Sequence, residues 1–455
     1  MKELPRKLLH DLRDVKGFDE AAFIAAHQQL AVTSVRLNLF KPAPVFETAQ
    51  SVPWCKEGRY LDARPSFTLD PYFHGGAYYV QEASSMFLAH MFRSLVGDRK
   101  GLRVLDLCAA PGGKSTLLAS LLDRTSLLVS NEVIRSRASI LEENMTRWGC
   151  MNTWVTSNDP KDLSKLPGYF DVMVVDAPCS GSGLFRKDED ALDEWSEANV
   201  QLCAQRQQRI VADAWPSLKE GGILIYATCS YSPQEDEEIL DWLASDMGAE
   251  TLEVELPAEW GVVKTSSEKA NFTGYRFSPD KVKGEGFFIA AVRKKAEADE
   301  VKQPKFKSGH DKKIFQQASY LLTEKEYTCI KTGDEYSVIL AEHEVDIHII
   351  QKGLYLRKTG TLIGQPGAKE WLPAHDIALS IERIKDLPKI EVRKEQALLF
   401  LKKEDFNIPN HDKGWYLISY NGLGLGWVKA LGNRFNNYLP KHWRIRMDIS
   451  GADWA

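Results

Sequence analysis

LRVLDLCAAPGGKS, residues 102–115, decides the fold. LRVLDL reads as a buried strand. It runs directly into a Gly/Pro loop, Cys108–Ser115, which opens a helical pattern. A loop between a strand and a helix N-terminus exposes backbone N–H groups, and its glycines let a ligand approach closely. Outward from it, apolar runs and helical patterns alternate. Strands are expected at 102–107, 127–132, 153–158, 170–178, 221–229 and 286–294. Helices are expected at 114–123, 134–148, 193–217 and 233–246. This alternation predicts a parallel α/β sheet, and the continuous apolar strands predict helices on both faces.

The chain of 455 residues exceeds one hydrophobic core and predicts several domains. Residues 1–75 form an N-terminal mixed α/β extension, with helices at 3–14 and 19–28 and a strand in TSVRLNLF (33–40). Residues 76–295 form the α/β domain, with a helix expected across YYVQEASSMFLAHMFRSLV (78–96). A charged linker, 296–313, leads to two small β-rich domains, 314–384 and 385–455; VDIHIIQKGLYLRKTGTLIG (345–364) reads as strands. No apolar run approaches the ~20 residues of a membrane helix. The charged N-terminus lacks a signal-peptide core, so the expected location is the cytoplasm. Seven cysteines, without a CxxC pair or a Cys/His cluster, argue against a disulfide framework and a structural zinc site. Any cysteine chemistry is then nucleophilic.

Two ligand classes compete for the 108–115 loop. It misses the Walker A pattern GxxxxGK[ST] only where Cys108 replaces the first glycine. A nucleoside-triphosphatase is therefore a rival reading. The surroundings favour a cationic nucleoside ligand instead. Asp106 at the strand tip would repel a triphosphate but suits an ammonium or sulfonium. Glu132 ends the next strand, where an acid hydrogen-bonds ribose hydroxyls. Asp159, after the third, can accept from an adenine amino group. Each acid alone is more often a solvated loop residue. Three on successive strand ends fit S-adenosylmethionine, held by Cys108, Ala109, Ala110, Pro111, Gly112, Gly113 and Lys114 together with Glu132, Asp159 and Asp176.

Two thiols complete the pattern. FDVMVVDAPCSGSG (170–183) carries Asp176 and Cys179 at the end of the fourth strand, and GGILIYATCS (221–230) carries Cys229 at the end of the fifth. The bland readings are a turn residue for Cys179 and core packing for Cys229. In doubly wound methyltransferase-type sheets these strands are neighbours, so both thiols should face the cofactor crevice.

CAAPGGKS, DAPCSGSG and YATCS, in this order, resemble the motifs of the RNA cytosine carbon-5 methyltransferase family, the Sun-related group. HGGAYYVQEASSM (74–86) and TSVRLNLF are also similar to it, so the match spans roughly residues 1–295. The C-terminal modules are similar to those of the bacterial small-subunit rRNA enzymes of the RsmF type, the last being PUA-like. The resemblance implies a Rossmann-like, S-adenosylmethionine-dependent domain, with Arg137 following Glu132 in the cofactor pattern. It also implies that Cys229 attacks carbon-6 of cytosine and that Cys179 serves product release. DNA cytosine methyltransferases attack with the PC cysteine, so that inverse assignment stays open. So do two rival functions: methylation of transfer RNA, and a non-catalytic role as an rRNA-binding assembly factor.

The implied partner is ribosomal RNA or the small ribosomal subunit, with no membrane and no metal, and the expected state is a monomer. The net charge of −5 does not announce a nucleic-acid binder, but residues 385–455 hold 12 Lys/Arg against 8 Asp/Glu. Aromatics are interleaved there, and about half are expected to fill a barrel core. LPKHWRIR (439–446) is the stretch expected to touch phosphate, and residues 1–75 are expected to join the RNA-binding surface.

Overall fold

The computed structural model describes residues 3–302, 304, 317–323, 326–383, 386–408, 411–432 and 434–450. Of the expected linker, residues 303 and 305–313 lie outside them. A ten-stranded sheet forms the centre. Its strands are β1 (Arg103–Asp106), β2 (Leu127–Asn131), β3 (Thr153–Thr156), β4 (Phe170–Asp176), β5 (Leu218–Thr228), β6 (Ala249–Leu252), β7 (Val263–Ser266), β8 (Thr273–Phe277), β9 (Phe287–Lys294) and β10 (Leu356–Lys358). Their order is β7-β8-β9-β5-β4-β1-β2-β3-β10, with β6 on the second half of β9. β1 to β5 are mutually parallel, and β9 joins β5 antiparallel. The fourth strand thus lies between the first and the fifth, as expected.

Alternate residues of each strand enter two cores. Val104, Leu128, Val155, Val174 and Ile225 face one, which is closed by α1 (Phe87–Val96), α2 (Gly113–Leu121) and α3 (Arg135–Trp148). Leu105, Val129, Trp154, Val175 and Leu224 face the other, closed by α4 (Glu197–Ala214), α5 (Glu237–Ser245) and α6 (Glu344–Gly353). Burial on both faces is why the strands read as unbroken apolar runs.

Two sequence expectations are corrected. Tyr78–Val80 is a strand, paired with Thr33–Leu37, and the helix begins only at Phe87. Its aromatic and β-branched residues complete a four-stranded N-terminal sheet ordered Ser51–Val52, Cys55–Leu61, Thr33–Leu37, Tyr78–Val80. Residues 344–353 form α6 rather than a strand. Ile347, Ile350 and Leu354 recur at helical spacing and fill the second core, while Glu344 and Asp346 suit the helix N-terminus. The β-branched isoleucines concealed this period.

The outer units are stitched to the central sheet. Arg36, 1% exposed, crosses from the N-terminal sheet to donate to Thr116 Oγ1 (2.6 Å) and stacks on Trp148 (4.5 Å). Arg103 of β1 pairs with Asp346 of α6 through two hydrogen bonds of 2.7 Å. The next unit pairs Tyr327–Thr332, Glu335–Leu340, Thr361–Pro366 and Trp371–Pro373, and it adds β10 to the edge of β3. The last unit orders Lys389–Glu391, Gly414–Tyr420, Leu423–Ala430 and Phe435–Asn437 around helix Lys394–Lys402. Its aromatics are more structural than expected. Tyr416, Tyr420, Phe435 and Trp443 pack on its core, Trp427 and Trp415 on the adjoining one, and Tyr438 is exposed. Among the described residues, no helix is long and apolar enough to cross a membrane.

Candidate active site

The carboxyl ends of β1, β2, β4 and β5 lie side by side, and there Asp106, Lys114, Glu132, Asp176, Cys179 and Cys229 come together, whereas Asp159 stands apart after β3. The 108–114 loop leaves β1 and enters α2 through Gly112, whose φ of +118° favours glycine. A Cβ at Gly112 would stand 3.3 Å from Asn144 Cβ and Leu141 Cδ1. From outside, Arg137 donates to Ala110 O (2.8 Å) and Asn144 to Pro111 O (2.7 Å). Arg137 also approaches Glu132 (3.6 Å), whose carboxylate accepts the Ile134 N–H (2.9 Å). Burial, with the neighbouring Asp106 and Glu132, pushes the half-buried Cys108 thiol far above its ordinary value and keeps it protonated.

Asp106 is fully buried. Its Oδ2 accepts from Ser115 Oγ (2.6 Å), while Oδ1 has no hydrogen-bond partner among the described residues. Burial, reinforced by the neighbouring Asp176 and Glu132, lifts its pKa to about 7. A buried, half-satisfied acid beside a glycine loop calls for an outside donor. The set fits S-adenosylmethionine: an acid for a cationic end, Glu132 near a ribose, and an open backbone loop between them. Asp159 is half-buried and caps the turn Pro160–Lys165, accepting from Lys161 N (3.2 Å).

Cys179 and Cys229 meet at the crevice, sulfur to sulfur, at 3.1 Å. Cys179 is held well above the ordinary thiol range, first by its hydrogen bond to Cys229 and then by burial. Lys114 forms an ion pair with Asp176 (2.7 Å) and stands over the Phe287 ring (5.1 Å). That pair outweighs burial and raises the lysine pKa; the Cys229 sulfur adds to the field it feels. The helix start expected near Pro233 is a three-residue 3₁₀ turn, too short to project a large dipole at Cys229. Gly183 touches the main chain of Cys229: a Cβ there would fall 2.8 Å from Cys229 O and 2.5 Å from Gly286 O. The Ser-Gly spacing after Cys179 therefore lets the two cysteine loops interlock.

What fixes the loops went unread in the sequence. Glu235, fully buried, accepts from Ser180 N (2.8 Å), Ser180 Oγ (2.5 Å), Ser230 Oγ (2.6 Å) and Gln207 Nε2 (3.1 Å). Ser180 follows Cys179, and Ser230 follows Cys229, so one carboxylate clasps both. Asp236 accepts from Thr228 Oγ1 (2.6 Å), and Arg276 of β8 pairs with Asp236 (3.1 Å) and Glu237 and donates to Tyr231 O (2.9 Å). The run QEDEE (234–238) resembles a solvated helix face. Its one distinguishing signal is its place, directly after the cysteine turn.

A family profile described as “16S rRNA methyltransferase RsmB/F” matches residues 95–293. Those described as “N-terminal domain of 16S rRNA methyltransferase RsmF” and “Methyltransferase RsmF PUA domain” match 4–83 and 387–445. A ribosomal RNA small subunit methyltransferase F from Psychromonas ingrahamii is 31% identical over 448 residues, covering 92% of this chain and 92% of its own. A protein of the same name from Shewanella loihica is 30% identical, over 95% of this chain and 92% of its own. The crystal structure of a methyltransferase homologue from Pyrococcus horikoshii superposes with a TM-score of 0.51 at 27% identity, covering 64% of this chain and 100% of that one.

Proposed function

Because the chain belongs to the S-adenosylmethionine-dependent 16S rRNA methyltransferase RsmB/F family, we propose that it methylates carbon-5 of cytosine in small-subunit rRNA through a covalent cysteine adduct. The 3.1 Å contact between Cys179 and Cys229 carries this reading. Carbon-5 of cytosine is a poor nucleophile, and a thiolate adding at carbon-6 makes it enamine-like. Cys179 is held in its protonated form by the Cys229 contact and by burial, and the attack is assigned to Cys229. The cofactor supplies an electrophilic methyl group when bound. Afterwards the carbon-5 proton passes to water, its electrons re-form the 5,6 double bond, and the Cys229–carbon-6 bond breaks with its pair returning to sulfur, restoring the ring. Cys179, adjacent to that bond, serves this release step.

Asp176, 35% exposed and paired with Lys114, has a dual role: it accepts from the base's amino group or protonated N3 and borders the cofactor's methionine end. Asp106 and the 108–114 loop hold the cofactor's amino-acid end, Glu132 its ribose with Arg137 bracing Glu132, and Asp159 its adenine amino group. A paired cytosine is inaccessible, so the target is unstacked or looped out. The exposed Lys441, Arg444 and Arg446 of the last unit meet phosphate.

Transfer of labelled methyl to 16S rRNA, read at the base by bisulfite sequencing, tests this. Cys229→Ala transfers none, and Cys179→Ala accumulates an RNA–protein adduct stable to denaturing electrophoresis. An active Cys229→Ala beside an adduct-free, inactive Cys179→Ala would invert the roles. Methyl at any atom but carbon-5 would overturn the chemistry.

A further inference from the structure

A cavity of about 410 Å³ lies outside the cofactor crevice, where three units meet. The N-terminal unit contributes Arg64, Phe67, Phe73 and Tyr79, helix α3 contributes Asn144, and the last unit contributes Met447. No acidic residue lines it among the described residues. Its size falls in the range of small-ligand pockets, about 300–1,000 Å³.

Its surroundings are cationic and aromatic. Arg64, exposed, stacks on the Phe67 ring at 5.4 Å. Arg147, one turn beyond Asn144 on α3, is clamped between Phe73 (4.9 Å) and Trp443 (5.1 Å). Its Nη1 donates to Asn144 Oδ1 (2.7 Å), its Nε is buried with no hydrogen-bond partner, and no ion pair neutralises it among the described residues. Behind it, the buried Lys41 donates to two carbonyls among the described residues, Gly75 O (3.1 Å) and Arg147 O (2.6 Å). Burial lowers the pKa of both groups, Lys41 to about 7. Arg64 on the lining and Arg147 behind the Phe73 and Asn144 walls, neither ion-paired among the described residues, ask for an anion attached to a flat ring.

The cavity adjoins the catalytic machinery without belonging to it. Asn144 reaches Pro111 O of the cofactor loop, and the Tyr79 ring edge would lie 3.4 Å from a Cβ at Gly113. We infer that this cavity is a nucleotide pocket for a single-stranded segment of the RNA substrate: an aromatic wall stacks one base while Arg64 and the Arg147 side meet its phosphate. A base flanking the target must leave its stack when the cytosine is extruded, and such a pocket receives it. The inference rests on the rRNA methyltransferase reading above and adds a second point at which the RNA is gripped.

Arg64 and Ser66 are exposed and lie outside the cofactor crevice, so Arg64→Ala, Arg64→Glu and Ser66→Trp test the pocket in the full chain. The probes are a 16S rRNA transcript in filter binding, the same transcript carrying 4-thiouridine for crosslinking, and S-adenosylhomocysteine in calorimetry. Arg64→Ala is expected to lower rRNA affinity about fivefold and flatten the log–log salt dependence by about one unit. Ser66→Trp, which fills the cavity, lowers affinity about tenfold. Crosslinks map to residues 64–80. Cofactor-product binding stays within about twofold of wild type, which shows the fold intact. Arg64→Glu and Ser66→Trp proteins that bind rRNA like wild type, with crosslinks elsewhere, would overturn the pocket and leave the methyl-transfer reading standing. A wild-type protein that neither binds nor methylates 16S rRNA would instead remove the reading beneath it.

Discussion

Asp106→Asn isolates the electrostatics of the loop between β1 and α2, the proposed cofactor cradle. In the folded protein this carboxyl titrates at about 7, against an ordinary value near 3.8, because burial disfavours its charge. Its folded pKa is raised, so its contribution to stability is present below about pH 4 and is lost as pH rises through 7. A cationic cofactor end at the unpartnered Oδ1 reverses that preference and keeps the carboxylate ionised. Binding below pH 7 must then expel a proton. If the bound carboxylate is ionised throughout, the ionised fraction of the free protein sets the slope: about nine-tenths at pH 8 and about one-tenth at pH 6. Affinity for S-adenosylhomocysteine should therefore fall about tenfold between those values. Calorimetry in two buffers of different ionisation enthalpy counts the proton directly, about one released at pH 6 and almost none at pH 8. The asparagine variant keeps an acceptor for Ser115 but loses the charge. Its binding at pH 8 should weaken about tenfold to a hundredfold, for a charged hydrogen bond of about 1.5–3 kcal/mol, and its pH slope should vanish. A wild-type affinity that is flat from pH 6 to 8, or an unchanged slope in the variant, would refute the account.

Glu235→Ala leaves the Ser180, Ser230 and Gln207 donors without their shared acceptor; a loss of about 3 kcal/mol in denaturant unfolding and about a hundredfold in kcat is expected, with cofactor-product affinity little changed. Arg276→Met strands Asp236 and Glu237 in the interior. The expected cost is about 3–5 kcal/mol at pH 8, and the deficit in melting temperature narrows toward pH 5 as the acids take up protons. Gly112→Ala forces a side chain into φ +118° and against Asn144 and Leu141. About 1–2 kcal/mol of strain should appear as a roughly tenfold weaker titration with S-adenosylhomocysteine.

Local pattern carried much of this protein. A strand running into CAAPGGKS needs only its own residues to announce a buried strand, a tight loop and a helix start, and the loop-facing acids and two cysteines follow at strand ends. Parallel order then places Cys179 and Cys229 at neighbouring tips, because β4 lies between β1 and β5. Where tertiary partners override local propensity, the reading failed. Tyr78–Val80 had a helical continuation but found a strand to pair with, and the isoleucines of 344–353 hid a helix whose buried face is supplied by the central sheet.

The α/β class, the Gly/Pro loop between β1 and α2 and the two thiols at strand ends were legible from the sequence, since each depends on residues within one strand–loop–helix step. The fold alone brings the thiols to 3.1 Å, turns the neighbouring serines to Glu235 rather than solvent, and buries Asp106 with one oxygen unmatched among the described residues. Those outcomes turn on desolvation and on partners as far apart as Ser180 and Glu235, 55 residues along the chain. A charge run such as QEDEE carries no mark of burial until the sheet closes over it.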